Sequence, residues 1–189
     1  MRFFFKMIVL LGGLFFSSLI WAGNSPVGRS GMVDTQGLPY VHIADYYSNP
    51  GESKNDFLLR IGPKLRAYSD KTGFEACGVI ATNQQGQFAV VLGSSLSHIG
   101  CVNDTTRIPH GMTSTNETIH SHGRNGLRIM ATQSDWILMG NPFNPPHYVG
   151  GFDLSHFSDQ DFEHPGYLAT PTGVLYQDGS ASSVQQLKP

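Results

Sequence analysis

Charge is scarce in this chain. Only 14% of its residues are Asp, Glu, Lys or Arg, and 12 basic against 14 acidic residues leave a net charge of −2. A nucleic-acid binder usually carries a basic stripe, so this balance speaks against such a partner. Glutamate is rare, at Glu52, Glu75, Glu117 and Glu163 alone. Long apolar runs are also missing: the longest, residues 7–20, falls short of the roughly 20 residues that a spanning helix needs. No internal repeat, low-complexity tract or coiled-coil heptad is present. Gly (22) and Pro (11), by contrast, are plentiful, a composition that suits a loop-rich compact protein better than a helical bundle.

The first segment reads as a secretory signal peptide over residues 1–22. Arg2 and Lys6 precede an apolar stretch, and Ile20-Trp21-Ala22 ends on a small residue just before Gly23. The expectation is an exported protein, periplasmic or secreted, with no membrane span after cleavage. Cysteine is nearly absent, and the two that exist, Cys77 and Cys101, make an even count in an oxidising compartment. That favours one disulfide, worth roughly 3 kcal/mol through the loop it closes.

Residues 23–52 carry Gly, Pro and Ser without a sustained period and read as an extended N-terminal arm with short strands. Residues 53–189 read as one α/β (α+β) domain of a size that supports a single core. Ser53 is a candidate N-cap for a helix over 52–72, with an apolar stripe of Phe57, Leu58, Ile61, Leu65 and Tyr68. Gly62-Pro63 predicts a kink or break within it, and Gly73 its end. Residues 75–82 and 87–93 form a hairpin about the turn 83–86, and residues 166–170 and 173–177 a second one about Pro171-Thr172-Gly173. The segment 94–116 reads as a polar loop, with a short strand at 117–120 after it. A long connection at 123–157 has room for a helix at 132–139, and a helix beginning at Ser158 is limited by Pro165.

His120-Ser121-His122 carries the chemistry. Residues i and i+2 of a strand point to one side, so both imidazoles face one centre. Two imidazoles and a carboxylate can hold a zinc ion with a fourth position open for water, and a further carboxylate can take that water's proton. Asp161, the acidic N3 residue of a turn capped by Ser158, is a candidate third ligand, since the cap fixes its direction. Glu75, at the opening of an apolar strand, supplies the base. Each piece alone also has a plain structural use as a strand end, a cap or an edge carboxylate. Thr132-Gln133-Ser134-Asp135 offers Asp135 as a competitor for the third ligand.

Taken together, the Glu75-Ala76-Cys77-Gly78-Val79-Ile80 run, His120-Ser121-His122-Gly123 and Ser158-Asp159-Gln160-Asp161 resemble the JAMM (MPN-type) zinc peptidases. Phe157-Ser158, the stretch GYLATPTG and the later LYQ are similar to a branch found at the C-termini of RHS-repeat and polymorphic-toxin proteins. The resemblance spans about residues 53 to 178. It implies a JAMM-like (cytidine-deaminase-like) mixed β-sheet flanked by helices, and Zn2+ held by His120, His122 and Asp161. It also implies Glu75 as general base, and Ser158 as a hydrogen-bond donor to the water or the developing oxyanion. The activity implied is hydrolysis of amide or isopeptide bonds in a peptide, a protein or a peptidoglycan stem. Gly123 departs from the proline usual after the second histidine, and Ser158 lies much farther downstream than in typical members.

Two other functions stay open on the residues: a non-catalytic binding or structural module of the same fold, and a cysteine peptidase using Cys77 with His120 or His122. The histidines at 42, 98, 110, 147, 156 and 164 read as loop residues, mostly at the surface, with His156 a candidate for the cleft wall or for support of the metal ligands.

Overall fold

The structure, a computed structural model, describes residues 32–33, 37–124, 128–140, 146–150 and 153–189. The proposed signal segment therefore lies outside the described residues. Strand β1 (Met32–Val33) precedes β2 (Pro39–Tyr47), which forms where the sequence suggests an arm with short strands. Helix α1 (Lys54–Thr72) starts at Ser53, whose side chain accepts the Asp56 N–H, and ends at Gly73. Gly73 adopts φ 84°, a left-handed conformation that glycine takes without a Cβ clash.

The helix does not break at Gly62-Pro63. Phe57, Leu58, Ile61 and Leu65 are fully buried on one stripe, and that burial, about 1.5–3 kcal/mol per large apolar side chain, offsets the hydrogen bond that Pro63 cannot make. Gly62 has its own reason. A Cβ there would sit 2.5 Å from a Val174 methyl, so glycine permits the close approach of helix and sheet.

Strands β3 (Ala76–Thr82) and β4 (Phe88–Ser94) form the first hairpin, with Asn83 Oδ1 accepting the N–H groups of Gln85 and Gln87 in its turn. Strand β5 (Thr113–Ser121) is longer than the sequence suggests at its N-terminal side. Then come β6 (Ile129–Met130), helix α2 (Gln133–Leu138) and β7 (Tyr148–Val149). A 3-10 turn at Asp159–Glu163 replaces the expected short helix, and β8 (Gly166–Thr170), β9 (Gly173–Gln177) and β10 (Gln185–Gln186) complete the chain.

The fold is mixed α/β. Its main sheet runs β1-β2-β4-β3-β5-β8-β9-β10, while β6 and β7 pair separately. Within the main sheet β5 and β8 are parallel and the other described pairs antiparallel. Parallel pairing demands a long crossover, and residues 122–165 provide it. Helix α1 lies on one face, burying Ala76, Ile80, Ile119, Ala169 and Val174 beneath it. Strand alternation then sends Cys77 and His120, Cα partners across β3 and β5, to the opposite face. Among the described residues no helix is long and apolar enough to cross a membrane.

Candidate metal centre

Ser121 faces the helix, its hydroxyl 2.7 Å from that of Ser69, and this orientation turns His120 and His122 away from α1. Arg66 of α1 is buried and donates from Nη1 to the His122 carbonyl at 2.8 Å and from Nη2 to the Gly123 carbonyl at 3.1 Å, fixing the backbone where β5 ends. Neither Arg66 nor its role is visible in sequence, since a carbonyl partner leaves no signature there.

His120, His122 and Asp161 converge as a group able to hold a metal ion. The two Nε2 atoms are 3.4 Å apart, His120 Nε2 is 3.2 Å from Asp161 Oδ1, and His122 Nε2 is 3.3 Å from Asp161 Oδ2. A tetrahedral ion with ligand bonds of ~2.0–2.2 Å needs its ligand atoms about 3.3–3.6 Å apart; the two Nε2 atoms meet this, and Asp161 turns one oxygen toward each of them. The chemistry of the donors agrees. His122 Nδ1 lies 2.6 Å from the backbone carbonyl of Asp153, which can only accept, so Nδ1 carries the proton. In its neutral form the imidazole then presents the Nε2 lone pair to Asp161 and His120. A lone pair facing a carboxylate requires a cation between them, either a proton or a metal ion, and the arrangement is the usual second partner of a metal-bound histidine.

Electrostatics follow from the same contacts. Burial alone would lower the pKa of His122, but the Asp161 hydrogen bond, the Glu75 charge and the Asp153 carbonyl together hold it above its ordinary value. Burial would raise Asp161, yet hydrogen bonds from His120 and His122 outweigh it and keep the carboxyl far below its usual range. Asp161 is further fixed by Ser158, whose N–H and hydroxyl both donate to Oδ2, at 2.7 and 2.8 Å. The Ser158 hydroxyl, expected from sequence to serve the reacting oxygen, is thus engaged with the ligand carboxylate, while Ser158 also lines the cleft.

Glu75 is buried where two clefts of about 280 and 250 Å³ meet, and both clefts are lined by Glu75, Ile99 and His122. Desolvation pushes its carboxyl up to about 8, opposed by the His122 charge and by a hydrogen bond from the Gly123 backbone. Phe157 and His156 border one cleft, His120 and Asp161 the other. His156 is exposed, with Nδ1 2.7 Å from Asp153 Oδ2.

Asp135 is not at the histidine pair. It caps α2, taking the Thr132 N–H at 2.8 Å, and also accepts the Ser97 hydroxyl at 2.6 Å, the His98 N–H at 2.7 Å and a bond from His98 Nδ1 at 2.8 Å. With four donors its oxygens are filled. His98, read from sequence as a loop residue, is buried as part of this network. These bonds stabilise the charged carboxylate, so Asp135 has a folded pKa below its ordinary 3.8. Asp135→Asn should cost about 2–4 kcal/mol of unfolding free energy, measured by urea denaturation. A depressed folded pKa contributes stability that is complete above about 3.8 and lost as pH falls through the folded value. The difference between wild type and variant should therefore be level from pH 5 to 8 and shrink on acidification below about 4.

Cys77 and Cys101 form a disulfide, with Cα atoms 5.9 Å apart, and no described cysteine is free. It ties β3, beside His120, to the loop that carries Ile99. Held in this bond, Cys77 has no thiol to offer as a nucleophile.

Comparison adds no relative to this geometry. No family model, curated protein or solved structure matches the chain.

Proposed function

We propose that the protein is an exported, zinc-dependent hydrolase of amide or isopeptide bonds with a JAMM-like site. The observation that carries this reading is the convergence of His120, His122 and Asp161, with His122 Nδ1 held by the Asp153 carbonyl and buried Glu75 on the wall of the same cleft. The chain order Glu75, His120 and His122, then Ser158 and Asp161, on a mixed sheet backed by α1, supports the JAMM likeness. The Cys77–Cys101 disulfide is compatible with an oxidising compartment.

His120, His122 and Asp161 would hold the ion. When bound, zinc acts there as a Lewis acid that polarises the scissile carbonyl and acidifies water. The chain's own groups do the rest. Glu75, with a carboxyl raised toward neutral pH by burial, accepts a proton from water as the oxygen bonds to the amide carbon. It then delivers that proton to the leaving nitrogen as the C–N bond breaks. Ser158 positions Asp161, and its hydroxyl, with one proton to give, can serve negative charge developing on oxygen only by leaving that carboxylate. Peptides, exported proteins and peptidoglycan stems are the substrates to try.

The test is metal content followed by amine release. Protein equilibrated with zinc should retain one ion per chain, and it should liberate amines from a panel of peptide amides, isopeptides and cell-wall stems. A chelator should stop the release and added zinc restore it. Metal retention without hydrolysis would leave a binding module, and failure to retain any metal would remove the zinc reading altogether.

A further inference from the structure

Asp161 sits on a weak support. The 3-10 turn at Asp159–Glu163 has five residues, none of them fully buried, and its apolar hold is the half-buried Phe162 ring against Phe157. Short 3-10 turns also have poorer hydrogen-bond geometry than an α-helix. A metal ligand nonetheless needs a fixed position, because a displaced oxygen forfeits much of the binding energy.

Gln177, the last residue of β9, supplies what the turn lacks. It is 1% exposed and lines the cleft that holds His120 and Asp161. One amide nitrogen lies 2.6 Å from the Asp161 carbonyl and 2.7 Å from the His164 carbonyl. Both carbonyls can only accept, so the group facing them must be the NH2, which has two N–H donors and spends one on each. The amide oxygen accepts the Gly179 N–H. Gln177 therefore brackets the turn, holding the carbonyl of the ligand residue and the carbonyl just past the turn's end. Its own backbone is tied into the sheet, with Gln177 paired to Gly166 at the start of β8.

We infer that Gln177 is the positioning residue for Asp161, clamping the ligand-bearing turn to β9 and so setting the affinity of the metal centre. The inference rests on the metal reading above. The two supports differ: Ser158 fixes the carboxylate, whereas Gln177 fixes the backbone that carries it.

Gln177→Glu keeps the shape and turns two donated bonds into an acceptor facing two acceptors. Gln177→Asn keeps the amide but is one methylene shorter, and it carries the test if the glutamate variant does not fold. Folding is followed by circular dichroism, and affinity is measured by chelator competition for Zn2+ and by the visible spectrum of the Co2+-loaded protein. In the folded variants zinc affinity should fall about 10–100-fold, the range for loss of a group that orients a ligand, and the Co2+ bands should weaken or shift. The rise in Tm on adding zinc should shrink as well. A residue with only a structural role would lower Tm equally with and without zinc and leave the affinity unchanged; that result overturns the inference. If wild type itself retains no metal, the underlying reading fails instead, and the two failures are told apart by the wild-type measurement alone.

Discussion

Glu75→Gln should lower hydrolytic turnover by about 10²–10⁴-fold while the zinc content of the protein stays at one per chain. The amide fills the same buried space and can still accept the Gly123 N–H, so the local fold has no reason to change. What it loses is the capacity to take up a proton, and that is the only function given to Glu75. The carboxyl is raised to about 8 chiefly by desolvation, and a positive charge at the histidine pair draws it back down, which puts its proton exchange in the range where a general base works near neutral pH. Turnover on a verified substrate and metal analysis on the same preparation separate the possibilities. Full activity in the variant would end the hydrolase mechanism as written. Loss of zinc would make Glu75 a ligand, and the centre would then have no open position.

The second large effect is the loss of the metal from His122→Ala. This histidine would offer the ion its Nε2, in a direction set by the Nδ1–H bond to the Asp153 carbonyl, and alanine removes both. Affinity should fall by more than the roughly 10–100-fold that accompanies loss of an orienting partner, and hydrolysis should vanish with it. The apo variant should remain folded, because the ring lies on the sheet face opposite the α1 core and the backbone at this position is held by Arg66. Zinc content and circular dichroism, taken together, check the prediction. A folded variant that kept full zinc occupancy would move the site elsewhere.

Much of this arrangement is legible in the chain before any coordinates. The stripe of Phe57, Leu58, Ile61 and Leu65 specifies α1 because a helix has one period and one buried side. The paired apolar runs at 75–82 and 87–93 specify a hairpin because Asn83 and Gly86 allow little else between them. The third ligand is less legible. Thr132-Gln133-Ser134-Asp135 and Ser158-Asp159-Gln160-Asp161 have the same local design, and both acids cap their turns. They differ only in tertiary surroundings: Ser97 and His98 reach Asp135 from the loop after β4, whereas His120 and His122 reach Asp161 from β5. Local sequence holds no record of which loop arrives. The supports of the site are hidden for a related reason. Arg66 and Gln177 act on backbone carbonyls, and Asp153 acts through its own carbonyl, so each interaction is with atoms that every residue has.

The parallel pairing of β5 and β8 gives the metal centre a topological weight. His120 and His122 leave the sheet at the end of β5, and Asp161 returns only after the entire crossover, just ahead of β8. An ion gripping all three would close that crossover into a ring, as Cys77 and Cys101 close the neighbouring one on the same face. One staple is covalent and answers to redox conditions; the other would be coordinative and answer to metal supply. Because closing a long loop in the folded state removes freedom from the unfolded chain, filling the site would strengthen the fold as well as equip it, and scarcity of metal would be felt as a lower stability of the whole domain.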